Sequence, residues 1–234
     1  MRKEELDAVI SDAVNDSELR SAEIPAIDLY VDQIINLVAE KQKEGSERFY
    51  DRQLTKTMIN NYSKDGVIKP VKGKKYTKEQ ILQILTVYSM KSTLSIGEIK
   101  RMLTGAYSIE GFDGEALNEF YDRYMDIKDD NRVYAKRVID GMIEAKGIDV
   151  ENEEDFLAAL GGIVSLSAFF KNIAQAMIDA KYPEPEEPEE DEDGENAEKS
   201  EKKKEKEKKK AQKKEEKKNK KAEESVTEAE VAEG

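Results

Sequence analysis

Two asparagines stand side by side at Asn60 and Asn61, just after Lys56 and Thr57. Helical periodicity puts all four on one arc. An asparagine amide can pair in bidentate fashion with the major-groove edge of adenine, and Lys and Thr can take base edges or phosphate oxygens. Further on, Lys69, Lys72, Lys74 and Lys75 crowd around Pro70 and Gly73. Four lysines beside a Pro and a Gly suit a tight, phosphate-facing turn.

The charge balance isolates the same region. The chain has 39 Lys and Arg against 52 Asp and Glu, a net charge of −13. Between Leu54 and Leu103 the sign reverses: ten basic side chains face three acidic ones, +7 in all, which leaves −20 for the rest. A basic island in an acidic protein is the footprint of a surface that meets a polyanion.

Other chemistries are poorly supplied. With no His and no Cys, the chain has no imidazole base, thiol nucleophile or thiolate metal site. No phosphate loop is present, and the acids of Glu151–Asp155 sit where a helix N-terminus favours them anyway. The expectation is a non-enzyme without catalytic residues, metal or cofactor. The first ten residues lack an apolar signal-peptide core. The longest uncharged run, Phe156–Phe170, falls short of the roughly 20 apolar residues that span a bilayer. A cytoplasmic chain with no membrane partner is expected.

The elements that must position these residues are mostly helical. Leu6, Ile10 and Val14 mark a first amphipathic helix. A second begins after Pro25, with Asp28 as its cap and Tyr30, Val31, Ile34, Ile35, Leu37 and Val38 as its apolar stripe. Residues 43–52 read as a loop. Three short helices follow, opened by Thr55, by the capping box Thr77–Gln80 and by the capping box Ser95–Glu98. The first stops near Asp65-Gly66 and the third before Gly105. Residues 69–76 form a turn or small hairpin with Gly73 at its tip. Beyond it, Leu117, Phe120, Tyr121 and Tyr124 mark one helix, and Val133, Val138, Ile139, Met142 and Ile143 another. Phe156–Ile178, apolar on most sides, is expected to be buried in the domain or against a second subunit.

This gives a mainly α fold: one helical domain over residues 1–182, with a winged helix-turn-helix at 54–103 and a dimerisation or effector part at 104–182. Residues 183–234 are a charged tail with too little apolar surface to fold. Several readings stay open. Asn60 and Asn61 also suit a solvated helix face, and the lysine turn a solvated loop. Tyr62 and Tyr76 fit core packing or base stacking. The tail either keeps the chain soluble or adds sequence-independent affinity for nucleic acid.

The stretch LTKTMINNYSKDGVIKPVKGKKYTKEQILQILTVYSMKSTLSIGEIKRML resembles the DNA-binding head of MerR-type regulators, through Thr55, Ile59, Tyr62, Gly66, Val67, Ile68, Pro70, Tyr76, Ile81, Leu94, Ser95, Glu98 and Ile99. With IPAIDLY before it, the segment resembles more closely the bacterial family called domain of unknown function 1836, over residues 24–180. The loop before the first of the three helices is longer than in MerR regulators, the wing is shorter, and Asn60-Asn61 stands where those have Arg-Tyr. No long C-terminal helix with heptads is read. The resemblance implies a MerR-like head that places Lys56, Thr57, Asn60 and Asn61 on bases and Lys69, Lys72, Lys74 and Lys75 on phosphates. The expected protein is a sequence-specific binder of double-stranded DNA and a transcriptional regulator. A homodimer is expected because one short helix reads few base pairs. An unknown effector is allowed for. The alternative is a helical protein-interaction adaptor that uses the winged shape without reading DNA.

Overall fold

The computed structural model describes residues 1–49, 52–71 and 73–184. Over that range seven α-helices run in chain order: α1 (Lys3–Ala13), α2 (Val31–Gln42), α3 (Lys56–Lys64), α4 (Lys78–Met90), α5 (Ile96–Tyr107), α6 (Gly114–Lys146) and α7 (Glu153–Lys181). Two short strands, β1 (Leu29–Tyr30) and β2 (Lys75–Tyr76), pair antiparallel in the register Leu29–Tyr76 and Tyr30–Lys75. The tail expected to be disordered lies outside the described residues from 185 onward.

Helix α4 is the centre of the core. Ile81, Leu82, Ile84, Leu85 and Val87 are all buried, so the helix is covered on most of its circumference. Helices α5 and α6 and strand β2 pack against it. A helix apolar all round is stable only when surrounded, and α4 meets that condition. Helix α2 lies against α3 and carries Ile34 and Val38 into the same cluster, and the N-terminal part of α6 adds Leu117, Tyr121 and Met125.

Each short helix starts where its local chemistry says. The Thr55 hydroxyl accepts from Met58 N (3.2 Å). Thr77 and Gln80 exchange bonds at 2.9 and 3.3 Å, and Ser95 and Glu98 at 2.6 and 3.2 Å. Each cap satisfies backbone N–H groups that would otherwise lack partners, worth about 1 kcal/mol apiece.

Five expectations need correction. Asp28 does not cap α2. Leu29 and Tyr30 are extended and pair with β2, and the Gln33 side chain accepts from Tyr30 N (2.8 Å), so the helix starts at Val31. Of the two readings of residues 69–76, the small hairpin does not hold, because β2 pairs with β1, while the turn stands at Gly73. Helix α5 runs through Gly105 to Tyr107, since the bare Cα at 105 is the seat of the Tyr182 ring. The two expected helices of residues 117–143 are one helix of 33 residues, capped by Asp113 at its start and ended by Gly147 at φ 60°. No Gly or Pro interrupts its middle, Tyr124–Asp140. Finally, of the two places expected to bury Phe156–Ile178, the domain does not: only Ala159 and Ile178 of α7 are buried in this chain.

Residues 7–23 run along α6 as an ionic strap. Arg20 donates to Asp126 and Asp129, Lys128 pairs with Asp16 and Glu18, Arg132 with Asp16, and Lys136 with Asp7. Ser21 Oγ donates to Asp122 (2.6 Å), and the buried Tyr121 hydroxyl donates to Leu19 O (2.8 Å). Burial alone would push the Asp16 carboxyl up. The Lys128 and Arg132 contacts outweigh it and hold Asp16 below the usual carboxylate range.

Candidate nucleic-acid interface

Helix α3 divides cleanly into two faces. Ile59 and Tyr62 are buried and Met58 half-buried, facing α2 and the core. Lys56, Thr57, Asn60, Asn61 and Lys64 are exposed along the opposite face. The side chains of Lys56, Asn60, Asn61 and Lys64 have no hydrogen-bond partner among the described residues. Nine residues at 1.5 Å each give a rod about 14 Å long, and a helix about 10–12 Å across fits a major groove about 12 Å wide. Lys64, absent from the sequence-derived set, continues the row Lys56–Asn60–Lys64 at i+4 spacing.

The turn after α3 is held from behind by α4. Gly66 takes a left-handed φ of 64°, and Val67 and Ile68 drop into the core. Two buried glutamines then grip the backbone of the turn. Gln83 Oε1 accepts from Lys69 N (2.8 Å), and Gln80 Nε2 donates to the carbonyls of Lys69 (3.2 Å) and Pro70 (2.9 Å). Gln83 also donates to the Tyr107 hydroxyl (3.0 Å), which itself donates to Glu79 (2.8 Å). Burial and the Glu79 carboxylate both raise the Tyr107 pKa, so the hydroxyl stays protonated and keeps donating.

These contacts sort the lysines of the turn. The Lys69 ammonium pairs with Glu79 (2.6 Å) and lies 4.1 Å from the centre of the Tyr107 ring, so its charge is partly answered by the protein although the side chain is still exposed. Lys75 lies 5.0 Å over the ring of Tyr30, across the β1–β2 pair, with its side chain still exposed. Lys74 is exposed beside Gly73, whose φ of 87° makes the turn. Lys72 lies outside the described residues.

Two other members of the basic island face inward. Arg101 is bonded to Asp179 of α7 (2.5 Å). The Lys91 ammonium rests on Met58 Sδ (3.2 Å) and over Tyr88 (5.0 Å), and burial lowers its pKa. Among the described residues of the island, the solvent-facing cations are therefore Lys56, Lys64, Lys74, Lys75 and Lys100, with Lys69 exposed but paired to Glu79 and Lys78 half-exposed. Lys100, also absent from the sequence-derived set, reaches the back of Gly66. Its exposure depends on how α5 folds against the base of the turn, which no local motif announces.

Tyr62 and Tyr76 are both buried, so they pack and do not stack on bases. The Tyr62 hydroxyl has no hydrogen-bond partner among the described residues, and burial beside Tyr88 pushes its pKa up to about 12. No group of three or more acidic, His or Cys side chains among the described residues is placed to hold a metal ion.

Residues 19–124 match the family described as Domain of unknown function (DUF1836). That span starts at Leu19 and ends at Tyr124, well short of the residue 180 suggested by resemblance. It takes in α2 to α5 and the first third of α6, with the two faces of α3 and the lysine turn inside it. Neither the curated proteins nor the solved structures contain a match to the chain.

Proposed function

We propose that this chain is a sequence-specific binder of double-stranded DNA and acts as a transcriptional regulator, through a MerR-like winged helix-turn-helix head. The carrying observation is the outer face of α3. Five adjacent polar or basic side chains stand in solvent on a helix whose other face is fixed in the core. Asn60 and Asn61 supply hydrogen-bond pairs for adenine edges, and Lys56 and Thr57 serve bases or phosphates near the helix N-terminus. Lys74 and Lys75 supply charge to the flanking backbone, joined by Lys64 and Lys100. The grip of Gln80 and Gln83 on Lys69 and Pro70 gives the wing a fixed position, which lowers the ordering cost of binding.

Selection from random duplexes with the full chain tests the reading, with an enriched motif expected. Asn60→Ala should cost about 1–3 kcal/mol on the selected site and relax the choice of base there. Lys74→Ala should weaken binding about equally on all sequences and lower the salt slope by about one. Retention on DNA without a motif would leave a nonspecific binder. The absence of any retention would favour the adaptor reading, in which the same face meets an acidic protein.

A further inference from the structure

The hairpin of α6 and α7 concentrates exposed apolar surface. Among the described residues, ten of the fifteen large apolar side chains that are exposed lie on these two helices. They are Ile127, Val133 and Tyr134 on α6, and seven on α7 from Leu157 to Met177. Five of them, Ile127, Tyr134, Phe170, Ile173 and Met177, fall in two rows with partly buried neighbours. On α7, Ala159, Ile163, Leu166, Phe170, Ile173 and Met177 alternate steps of four and three. On α6, Tyr124, Ile127, Asn131, Tyr134 and Val138 do the same. That spacing makes a continuous seam along a helix, in contrast to the sequence reading, which found no such helix.

The two seams meet only at the far end of the hairpin. There Met142 packs against Gly162, where a Cβ would come within 2.6 Å of its sulfur. Towards the core the helices part. Helix α7 leaves α6 and leans on α5 through Tyr182 at Gly105, Gln175 to Glu98 (2.6 Å) and Arg101 to Asp179 (2.5 Å). The seams are left facing an open wedge of about 560 Å³, lined by Tyr134 and Val138 on one side and Leu166 and Phe170 on the other. Phe170, Ile173 and Met177 remain 59%, 55% and 67% exposed.

We propose that this wedge is a self-association surface, filled by the α6–α7 hairpin of a second copy of the chain. The area fits that occupant. The five exposed side chains of the rows, with half-buried Val138, Ile163 and Leu166 beside them, present on the order of 700 Å² per copy. The largest patch on a typical monomer is about 300–600 Å², and a stable dimer takes about 800 Å² from each partner. In a two-fold contact the same surface meets itself, and like seams supply both sides.

A bilayer fits less well, although by length and composition α7 alone could cross one, with a mean hydropathy of 1.6 over its most apolar window. Insertion would carry Lys171 into the hydrocarbon and tear Gln175, Asp179 and Tyr182 from α5. Dimerisation asks for neither. The proposal does not depend on the DNA reading, since the hairpin lies beyond α3 and the wing in sequence and shares none of their residues.

Analytical ultracentrifugation of the full chain, without DNA, tests it. The 26.6 kDa chain should sediment at twice its mass at micromolar concentration. Ile173→Glu and, separately, Phe170→Glu should weaken the dimer about 100-fold or more by placing one charge per copy in the seam, with helicity by circular dichroism unchanged because both side chains are exposed in the monomer. Val9→Glu, at an exposed apolar residue of α1, and Asn60→Ala on α3 should leave the mass unchanged. A monomeric wild type would overturn the proposal, as would an equally tight dimer of folded Ile173→Glu. So would a wild-type monomer that pellets with phosphatidylglycerol vesicles.

Discussion

Gln83 is the polar side chain that holds the Lys69–Pro70 turn in place, and replacing it by Met isolates that role. Met keeps the volume, so no cavity opens. The side chain is 1% exposed and makes two hydrogen bonds, from Lys69 N and to the Tyr107 hydroxyl. Tyr107 loses little in Gln83→Met, because its own proton still goes to Glu79. Lys69 N–H loses its acceptor in a part-buried position, which costs about 1–3 kcal/mol. The second bond adds up to about 1 kcal/mol, so the whole change should be about 2–3 kcal/mol. For a protein of this size that is a fall in Tm of about 4–12 °C. Thr86→Val is the control. Thr86 is equally buried, but its hydroxyl bonds only to Leu82 O of its own helix, so its loss should cost under about 1 kcal/mol. Thermal melts by circular dichroism read both. A Gln83→Met protein as stable as wild type would refute the argument, and so would a Thr86→Val loss of equal size.

Two further outcomes follow from the buried and paired ionisable groups. Asp16 is held below its ordinary pKa of 3.8, so its contribution to stability is present above that value and lost as pH falls through the lower folded-state value. Asp16→Asn should therefore cost about 1–3 kcal/mol at neutral pH, with the wild-type and variant stabilities converging below about pH 4; a gap that persists unchanged to pH 2 would show that charge is not the cause. Tyr62→Phe removes a buried hydroxyl with no partner, so it should leave stability unchanged or raise it by up to about 1 kcal/mol. The Tyr62 pKa is raised to about 12, so the wild type should lose stability relative to the variant as pH rises from 10 to about 12. A clear destabilisation by Phe in denaturant titration would show that the hydroxyl has a partner.

The parts of this fold that could be read in sequence are those set by neighbours three or four residues apart. Thr55, Thr77 with Gln80 and Ser95 with Glu98 cap their helices as their spacing requires, and the two faces of α3 follow from the alternation of Ile59 and Tyr62 with Asn60, Asn61 and Lys64. The pairing of Leu29–Tyr30 with Lys75–Tyr76 was hidden because two-residue strands show no alternation and their partners are distant in sequence. Gly105 looked like a stop signal, but a ring from α7 needs the space its missing side chain leaves. The inward turn of Lys91 and Arg101 depends on Met58 and Asp179, and exposed Lys69 is paired with Glu79, so counting charges along the chain overstated the free basic surface. For α7, apolar composition could not distinguish burial within the chain from burial by something else.

The ionic strap has a consequence for how the protein is made. Asp7 leaves the ribosome 129 residues before its partner Lys136. At about 5–20 residues per second that is a wait of roughly 6–26 s. During it, Asp7, Asp16, Glu18 and Arg20 have no α6 to bind, and Leu19 and Ile24 have an incomplete core to enter. Helices α2 to α5 are synthesised within this interval. The order of synthesis thus makes the segment nearest the N-terminus among the last to dock, and mutations in the strap should affect the yield of folded chain more through this delay than their ion pairs alone would suggest.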